Sequence, residues 1–177
     1  MEHIRVNDKI RLEKINLSMA QVIFDTIDSD RSHLKEWLPF IDQTKQISDT
    51  EAFISSVSGS NKDNIYTIWY KEEFAGLMGF KDTDWVNRKT EIGYWLRSKL
   101  QGKGIATLCV QKLISFAFKN QKLNRIQIKV AQKNNRSASI PQKLGFQLEG
   151  VERAGELHQN RYLDLEVYSL LKSDWLK

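Results

Sequence analysis

The stretch that most constrains this chain is a handover from strand to helix through two glycines, Gln101-Gly102-Lys103-Gly104-Ile105-Ala106-Thr107. Ahead of it, Thr90-Glu91-Ile92-Gly93-Tyr94-Trp95-Leu96 is rich in β-branched and aromatic residues and reads as a strand. Behind it, Ala106, Val110, Leu113 and Ala117 recur at helical spacing, while Thr107, Gln111, Ser115 and Lys119 form a polar stripe. The first amides of a helix lack intrahelical partners and the helix dipole adds positive potential, so such a junction suits an anion, above all a phosphate. The string is not a Walker A loop, which needs G-x-x-x-x-G-K-[ST]. Nor is it a dinucleotide fingerprint, because Thr107 stands at the third glycine position and no acidic residue follows about 20 positions on. On these seven residues alone, a plain turn and a phosphate cradle are equal readings.

The 177 residues suffice for one domain with a full core, and the chain shows no internal repeat, linker or low-complexity stretch, so one domain over 1–177 is expected. No apolar run approaches the roughly 18 residues of a membrane span, and Met1-Glu2-His3-Ile4-Arg5 lacks the apolar core of a signal peptide. A cytoplasmic protein that does not engage a membrane is expected. The one cysteine, Cys109, cannot form an internal disulfide and reads as a small buried hydrophobe. His3, His33 and His158 are far apart and no zinc-type cluster exists, so no metal is expected. A net charge of +5 suits an anionic ligand, but no basic run with interleaved aromatics points to nucleic acid.

In chain order, Arg5 to Leu12 reads as a first strand. Ser18 reads as a cap for a helix bearing Ala20, Ile23, Phe24 and Ile27. Asp30 to Leu38 is helical and stopped by Pro39, and Ser48 opens a further helix that ends at Gly59. Strands follow at Tyr66–Tyr70, Phe74–Phe80 and Arg88–Leu96, with turns at Lys71-Glu72-Glu73 and Asp82-Thr83-Asp84. Arg125 to Val130 alternates as a strand, Asn135 to Leu144 as a short helix ended by Gly145. Strands at Phe146–Arg153 and Arg161–Leu171, separated by a polar loop, close the chain. The expectation is an α/β (α+β) fold, a mixed, mostly antiparallel twisted sheet flanked by helices, with one parallel strand-helix-strand unit.

Gln101-x-x-Gly104-x-Ala106 matches the phosphate loop [QR]-x-x-G-x-[GA] of the GNAT acyl-CoA-dependent N-acetyltransferases, and the chain resembles that family. It is most similar to the RimJ/RimL branch, which acetylates N-terminal amines of ribosomal proteins. That likeness lies in Arg31-Ser32-His33-Leu34-x-x-Trp37-Leu38-Pro39, Glu91-Ile92-Gly93-Tyr94, Asn134-x-x-Ser137 and Lys143-Leu144-Gly145-Phe146-x-x-Glu149-Gly150. The ordered set covers nearly the whole chain.

The resemblance implies acetyl-CoA as cosubstrate, lying in a wedge between two splayed central strands. Gln101, Gly102, Lys103, Gly104, Ile105, Ala106 and Thr107 would place backbone N–H groups around the pyrophosphate, and Lys103 or Arg97 would add charge unless they are solvated surface cations. Leu96 and its neighbouring backbone would bond the pantetheine as a strand does. Asn134 would bond the pantetheine arm and Ser137 would lie near the sulfur, while Asn135 reads as a helix cap. Many members carry a tyrosine that protonates the leaving thiolate where this chain has Pro141, which leaves Ser137 or a water as substitutes. Proline there also denies Ser137 its usual helical carbonyl partner.

Acetyl transfer needs a neutral amine and a group to take its proton. Glu91 is the first candidate, on the face shared by Gly93 and Trp95, against an ordinary pairing with Arg88 or Lys89. Asp164 and Glu166 share a face of the last strand with Tyr162 and Tyr168 and are further candidates if that face borders the cleft. Trp37 and Trp69 read as core. Transfer is expected to be direct, without an acetylated Cys109. The expected acceptor is a protein N-terminus; the overall basicity argues against a strongly basic peptide unless a local acidic patch at Asp28, Asp30 and Asp42 reverses that. The alternatives are a small amine (an aminoglycoside, a polyamine or an amino acid) and a non-catalytic CoA-binding module. An exposed self-complementary strand would allow a homo-oligomer.

Overall fold

Alternation along the strands and helical periodicity between them place the apolar residues on two sides of one sheet. The computed structural model describes residues 3–175, so Met1 and Glu2 of the N-terminal stretch lie outside the described residues. The elements run β1 (His3–Arg5), β2 (Ile10–Lys14), α1 (Ala20–Ser29), α2 (Arg31–Leu34), α3 (Ile47–Ser58), β3 (Asn64–Tyr70), β4 (Glu73–Asp84) and β5 (Lys89–Leu96). They continue with α4 (Ile105–Lys119), β6 (Arg125–Ala131), α5 (Asn135–Lys143), β7 (Gln147–His158), β8 (Arg161–Leu171) and α6 (Lys172–Trp175). The eight strands form one sheet in the order β1-β2-β3-β4-β5-β6-β8-β7. Every neighbouring pair is antiparallel except β5–β6, which α4 joins as a crossover.

One face of the sheet packs Ile92, Ile126, Ile128, Val130 and Tyr168 against Ile105, Cys109, Val110 and Leu113 of α4. Each large aliphatic side chain buried there contributes about 1.5–3 kcal/mol. On the other face, Phe74, Leu77 and Trp95 meet Ile23, Ile27 and Ile54 from α1 and α3. Those two helices cover only the β4 side of β5. The β6–β8–β7 side of the same face carries charged residues instead.

β5 and β6 pair over three rungs only, Lys89↔Arg125, Thr90↔Ile126 and Glu91↔Gln127. Beyond Glu91 and Gln127 the two strands part, leaving Ile92–Leu96 and Ile128–Ala131 facing an open wedge. The splay follows from what each strand does on its other side. β5 follows β4 up to Gly76↔Leu96, while β6 follows β8 up to Ala131↔Leu165.

Several local expectations are corrected. The first strand is a hairpin, because the Asn7 carbonyl oxygen Oδ1 accepts from the Lys9 and Ile10 amides and turns the chain between β1 and β2. Asn16, not Ser18, caps the turn before α1, accepting from Ser18 N and Ser18 Oγ. The third helix starts at Ile47 under a reciprocal cap between Gln46 and Asp49 rather than at Ser48. β4 continues through Asp82-Thr83-Asp84, held by Thr83 Oγ1 and Thr90 Oγ1 at 2.8 Å. The polar loop near the end is a two-residue turn at Gln159-Asn160 (φ 48° and 61°), so β7 runs on to His158. No helix among the described residues is long and apolar enough to cross a membrane.

Candidate active site

The glycine junction forms an open cradle. Arg97 leaves β5 extended, Ser98–Leu100 makes one tight turn, and Gly104 caps α4 at φ 74° with no side-chain cap. Gly102 also sits at φ 74°. A left-handed backbone at both positions turns successive amides toward one side, which glycine does at least cost. The first turn of α4 carries no acidic residue, so its unpaired amides meet no built-in competitor. Lys103 is exposed on the loop, with Nζ 5.9 Å from the Tyr70 ring.

Two residues of the predicted loop take other roles. The Gln101 amide already donates to Ser98 O (3.1 Å), so it is not among the loop amides left free for a ligand. The Gln101 side chain is a strut: Nε2 donates to His33 Nε2 (2.8 Å) and Leu96 O (3.3 Å), and Oε1 accepts from Arg136 Nη1 (3.0 Å). Arg97 donates to Glu73 Oε1 (2.9 Å) and Phe74 O (3.3 Å), and Lys99 also pairs with Glu73. The Lys99 hydrogen bond in particular holds the Glu73 carboxyl below its ordinary range. Ile105 and Ala106 bury their side chains, leaving only backbone for the cradle, and Thr107 is half-buried.

The Arg31–Pro39 string braces this loop. Arg31 clamps the chain with bonds to Ile41 O (2.6 Å) and Thr44 O (2.8 Å), and His33 reaches Gln101. Asp30 accepts from Ser98 N (2.6 Å) and Ser98 Oγ (2.7 Å), and Asp28 pairs with Arg31 at 3.0 Å. The expected acidic patch is therefore corrected: two of its three carboxylates are committed to holding the loop.

At the far side of the wedge, Asn134 is the cap of α5, accepting from Ser137 N at 3.2 Å, so the capping role expected of Asn135 belongs to Asn134. Ser137 Oγ donates to Tyr94 Oη (3.2 Å), and Tyr94 Oη donates to Ser137 O (3.1 Å). Burial above all pushes the Tyr94 phenol up to about 12. Nothing in the motif string singled out Tyr94. The indirect signal was Pro141, which deprives the Ser137 carbonyl of a donor.

Glu91 occupies the fork of the wedge, on the face away from α4. It is 7% exposed, paired with Lys81 Nζ at 2.6 Å and accepting from Gln127 Nε2 at 3.0 Å, not with Arg88 or Lys89. A belt of polar and ionisable residues continues across that face through Lys129, which pairs with Glu152 at 2.6 Å, to Glu156 and His158 near the β7–β8 turn. Burial raises the Glu156 carboxyl above its ordinary range, against opposing influences from His158 and Lys81 and a reinforcing one from Glu91. No hydrogen bond or ion pair ties the Glu156 carboxylate among the described residues. His158 is 1% exposed and neither ring nitrogen has a hydrogen-bond partner among those residues. The turn beside it reaches across the cleft, Gln159 Nε2 donating to Lys35 O at 3.3 Å. Sequence reasoning missed Glu156 because it fell in the supposed polar loop; the signal was the continued alternation Glu156-Leu157-His158.

Asp164 and Glu166 do not border that face. Asp164 accepts from Ala154 N (2.7 Å) and steadies the irregular part of β7, while Glu166 accepts from Tyr168 Oη (2.7 Å) beneath α5. Cys109 is fully buried, and burial pushes its thiol up to about 12. Trp69 packs edge-on against Phe74 in the smaller core.

A glycine loop opening α4 beside the free edge of β5, with a separate carboxylate-bearing face at the fork, is an arrangement with room for two ligands. The family model of the GNAT acetyltransferase domain matches residues 9–147, and the chain belongs to that family of acetyltransferases. Its relatives include the Bacillus subtilis (strain 168) protein YdaF, whose name places it provisionally among ribosomal N-acetyltransferases. The two are 31% identical over 97% of this chain and 96% of that one. The ribosomal-protein-serine acetyltransferase of Escherichia coli (strain K12) is 25% identical over 95% and 96%. Among solved structures, the microcin C7 self-immunity acetyltransferase MccE, in complex with acetyl-CoA and AMP, is similar with a TM-score of 0.91. It is 31% identical, covering 96% of each chain. The RimL ribosomal L7/L12 α-N-protein acetyltransferase, at 22% identity and a TM-score of 0.93 over 98% and 99%, shares the fold.

Proposed function

We propose that this protein transfers acetyl from acetyl-CoA directly to a primary amine, the α-amine of a protein N-terminus, as one catalytic unit in the cytoplasm and without a metal. The observation that carries the reading is the wedge itself. It opens beyond Glu91↔Gln127 between an amide cradle on the α4 side and a partly buried, untied carboxylate, Glu156, on the other.

The thioester supplies an acyl group already activated toward amines. The amides following Gln101, from Gly102 to Thr107, hold the diphosphate, with Lys103 as the nearby cation. The Leu96 carbonyl, which faces away from β4 toward Gln101, belongs to the edge that takes the pantetheine, and Asn134 keeps its Nδ2 for the same arm. An N–H of the Ile92–Leu96 edge stabilises the oxygen that becomes negative during transfer. Ser137 offers a hydrogen bond to the departing sulfur. Glu156 takes the ammonium proton, directly or through a water. Its raised carboxyl is a stronger base than an ordinary glutamate, whereas Glu91 is already tied to Lys81 and Gln127 and shapes the field. Cys109, as a buried thiol, takes no part.

The proton balance supports an α-amine. With a pKa near 7.7–8.0 it needs only about 1 kcal/mol to be neutral at pH 7, whereas a lysine-like amine near 10.4 needs about 5 kcal/mol. One carboxylate base suffices for the first. The names of the B. subtilis and E. coli relatives agree with a ribosomal protein as acceptor.

A second reading, a small amine, is favoured by the similarity to MccE, whose structure holds AMP beside acetyl-CoA. The test is thiol release from acetyl-CoA with N-terminal peptides of ribosomal proteins, aminoacyl nucleotides, polyamines, aminoglycosides and amino acids as acceptors. Peptide turnover alone supports the reading. Turnover of a small amine alone replaces the acceptor, and acetyl-CoA binding without any turnover would favour a non-catalytic CoA-binding module.

A further inference from the structure

Pro141 lies inside α5, at the position whose main-chain N–H would ordinarily donate to the carbonyl of Ser137, four residues earlier. Proline has none to give. The hydroxyl of Tyr94, from β5 across the wedge, points at that carbonyl from 3.1 Å, and Ser137 Oγ donates back to the same phenol oxygen at 3.2 Å. We propose that Tyr94 is the positioning residue for Ser137, its hydroxyl replacing the amide that Pro141 lacks and thereby setting where the serine hydroxyl stands in the wedge. This rests on the acetyl-transfer reading given above.

The geometry makes the two residues interdependent. A serine one turn into a short helix keeps its place only as well as that turn is held, and here one of the turn's hydrogen bonds comes from the opposite strand. Tyr94 is half-buried and packed against the larger core, so the ring is fixed before the hydroxyl is used. The phenol stays protonated throughout the neutral range because burial opposes its anion, so it remains a donor at every pH at which the amine reacts. The Ser137 hydroxyl is a rotor. With the Tyr94 proton committed to the carbonyl, Ser137 can turn its own proton from Tyr94 Oη toward a sulfur in the wedge without releasing α5. The same contact ties the two sides of the wedge, β5 and α5, at a level where β5 and β6 no longer pair.

The test is a double-mutant cycle of Tyr94→Phe and Pro141→Ala. Tyr94→Phe removes only the hydroxyl. It should lower kcat by about tenfold with the KM for acetyl-CoA within about twofold, as expected when a group is mispositioned rather than a ligand lost. It should also lower the melting temperature by roughly 3–8 °C, because a carbonyl loses its donor. Pro141→Ala returns an N–H to the helix, so adding Tyr94→Phe to it should change kcat by less than about threefold and the melting temperature by less than about 2 °C. Equal effects of Tyr94→Phe in both backgrounds, on kcat or on the melt, would overturn the proposal, and so would no effect in either. Should the wild type turn over no acceptor at all, the acetyl-transfer reading fails and the role in transfer fails with it. Non-additive melts would in that case still establish the hydroxyl-for-amide contact, which separates the two failures.

Discussion

Gly76 offers the sharpest test of how the wedge is set. It lies on β4 opposite Leu96, the last paired residue of β5, at φ +154°. A Cβ there would sit 2.1 Å from Trp95 O, 2.9 Å from Leu96 Cα and 3.0 Å from Trp95 C, all backbone atoms of β5. Ordinary contact begins at 3.4 Å, so Gly76→Ala is short by about 1.3 Å and no flexible side chain can yield. Either β4 bulges or the end of β5 moves by about an ångström, at a cost of roughly 1–3 kcal/mol or more. A shift of that size at reacting groups lowers the rate about 10²-fold. Gly79→Ala is the matched control. Its Cβ would stand 2.3 Å from Asn64 O on β3, a similar clash on the side of β4 away from the wedge. Both variants should melt earlier. The folded fraction of Gly76→Ala should lose kcat/KM for acetyl-CoA about 10²-fold, and that of Gly79→Ala less than about fivefold. Circular dichroism and thermal melts establish the folded fraction, and thiol release gives the rates. A folded Gly76→Ala with wild-type kcat and KM would refute the claim that this contact sets the wedge. Equal losses in both variants would attribute the effect to general loosening instead.

Glu156→Gln should abolish the acid limb that the raised Glu156 carboxyl gives the pH profile of kcat/KM, leaving only the ionisation of the acceptor amine. An unchanged profile would remove Glu156 as base. The raised carboxyl also has a stability consequence: its favourable contribution is complete below the unfolded value and is lost as pH rises through the folded one. Glu156→Gln should therefore raise the melting temperature at neutral pH relative to wild type and not at pH 4. Glu91→Gln should leave acetyl-CoA binding intact and slow transfer about tenfold or less, because the carboxylate shapes the field at the fork without taking the proton; unchanged turnover would exclude it from the reaction. Cys109→Ala should keep full transfer, at about 1 kcal/mol of stability or less, and intact-mass analysis of wild type with acetyl-CoA should show no acetyl adduct on that thiol.

Features that depend on neighbours along the chain can be read from the order of amino acids. The glycine junction at Gly102 and Gly104, the buried stripe of α4, the alternation of β6 and the end of α5 at Gly145 are set by backbone freedom and periodicity over a few residues. The family resemblance was likewise legible in ordered strings. Caps were less legible, because Asn16, Gln46 and Asn134 compete with the nearby Ser18, Ser48 and Asn135 for the role, and only the final backbone geometry selects among them. The tertiary structure alone decided which charges face which. The partner of Glu91 is Lys81 because β4 and β5 pair in the register Lys81↔Glu91, a fact no local pattern carries. Asp164 fell against the irregular part of β7, Glu166 beneath α5, and Glu156 on the open face, because irregularities in the β7–β8 pairing decide which side of the sheet each residue meets. Tyr94 meets Ser137 across 43 positions of sequence because the fold brings β5 and α5 together across the wedge. A proline's missing donor can be read from the chain, but the hydroxyl that replaces it is found only where two distant segments are brought together.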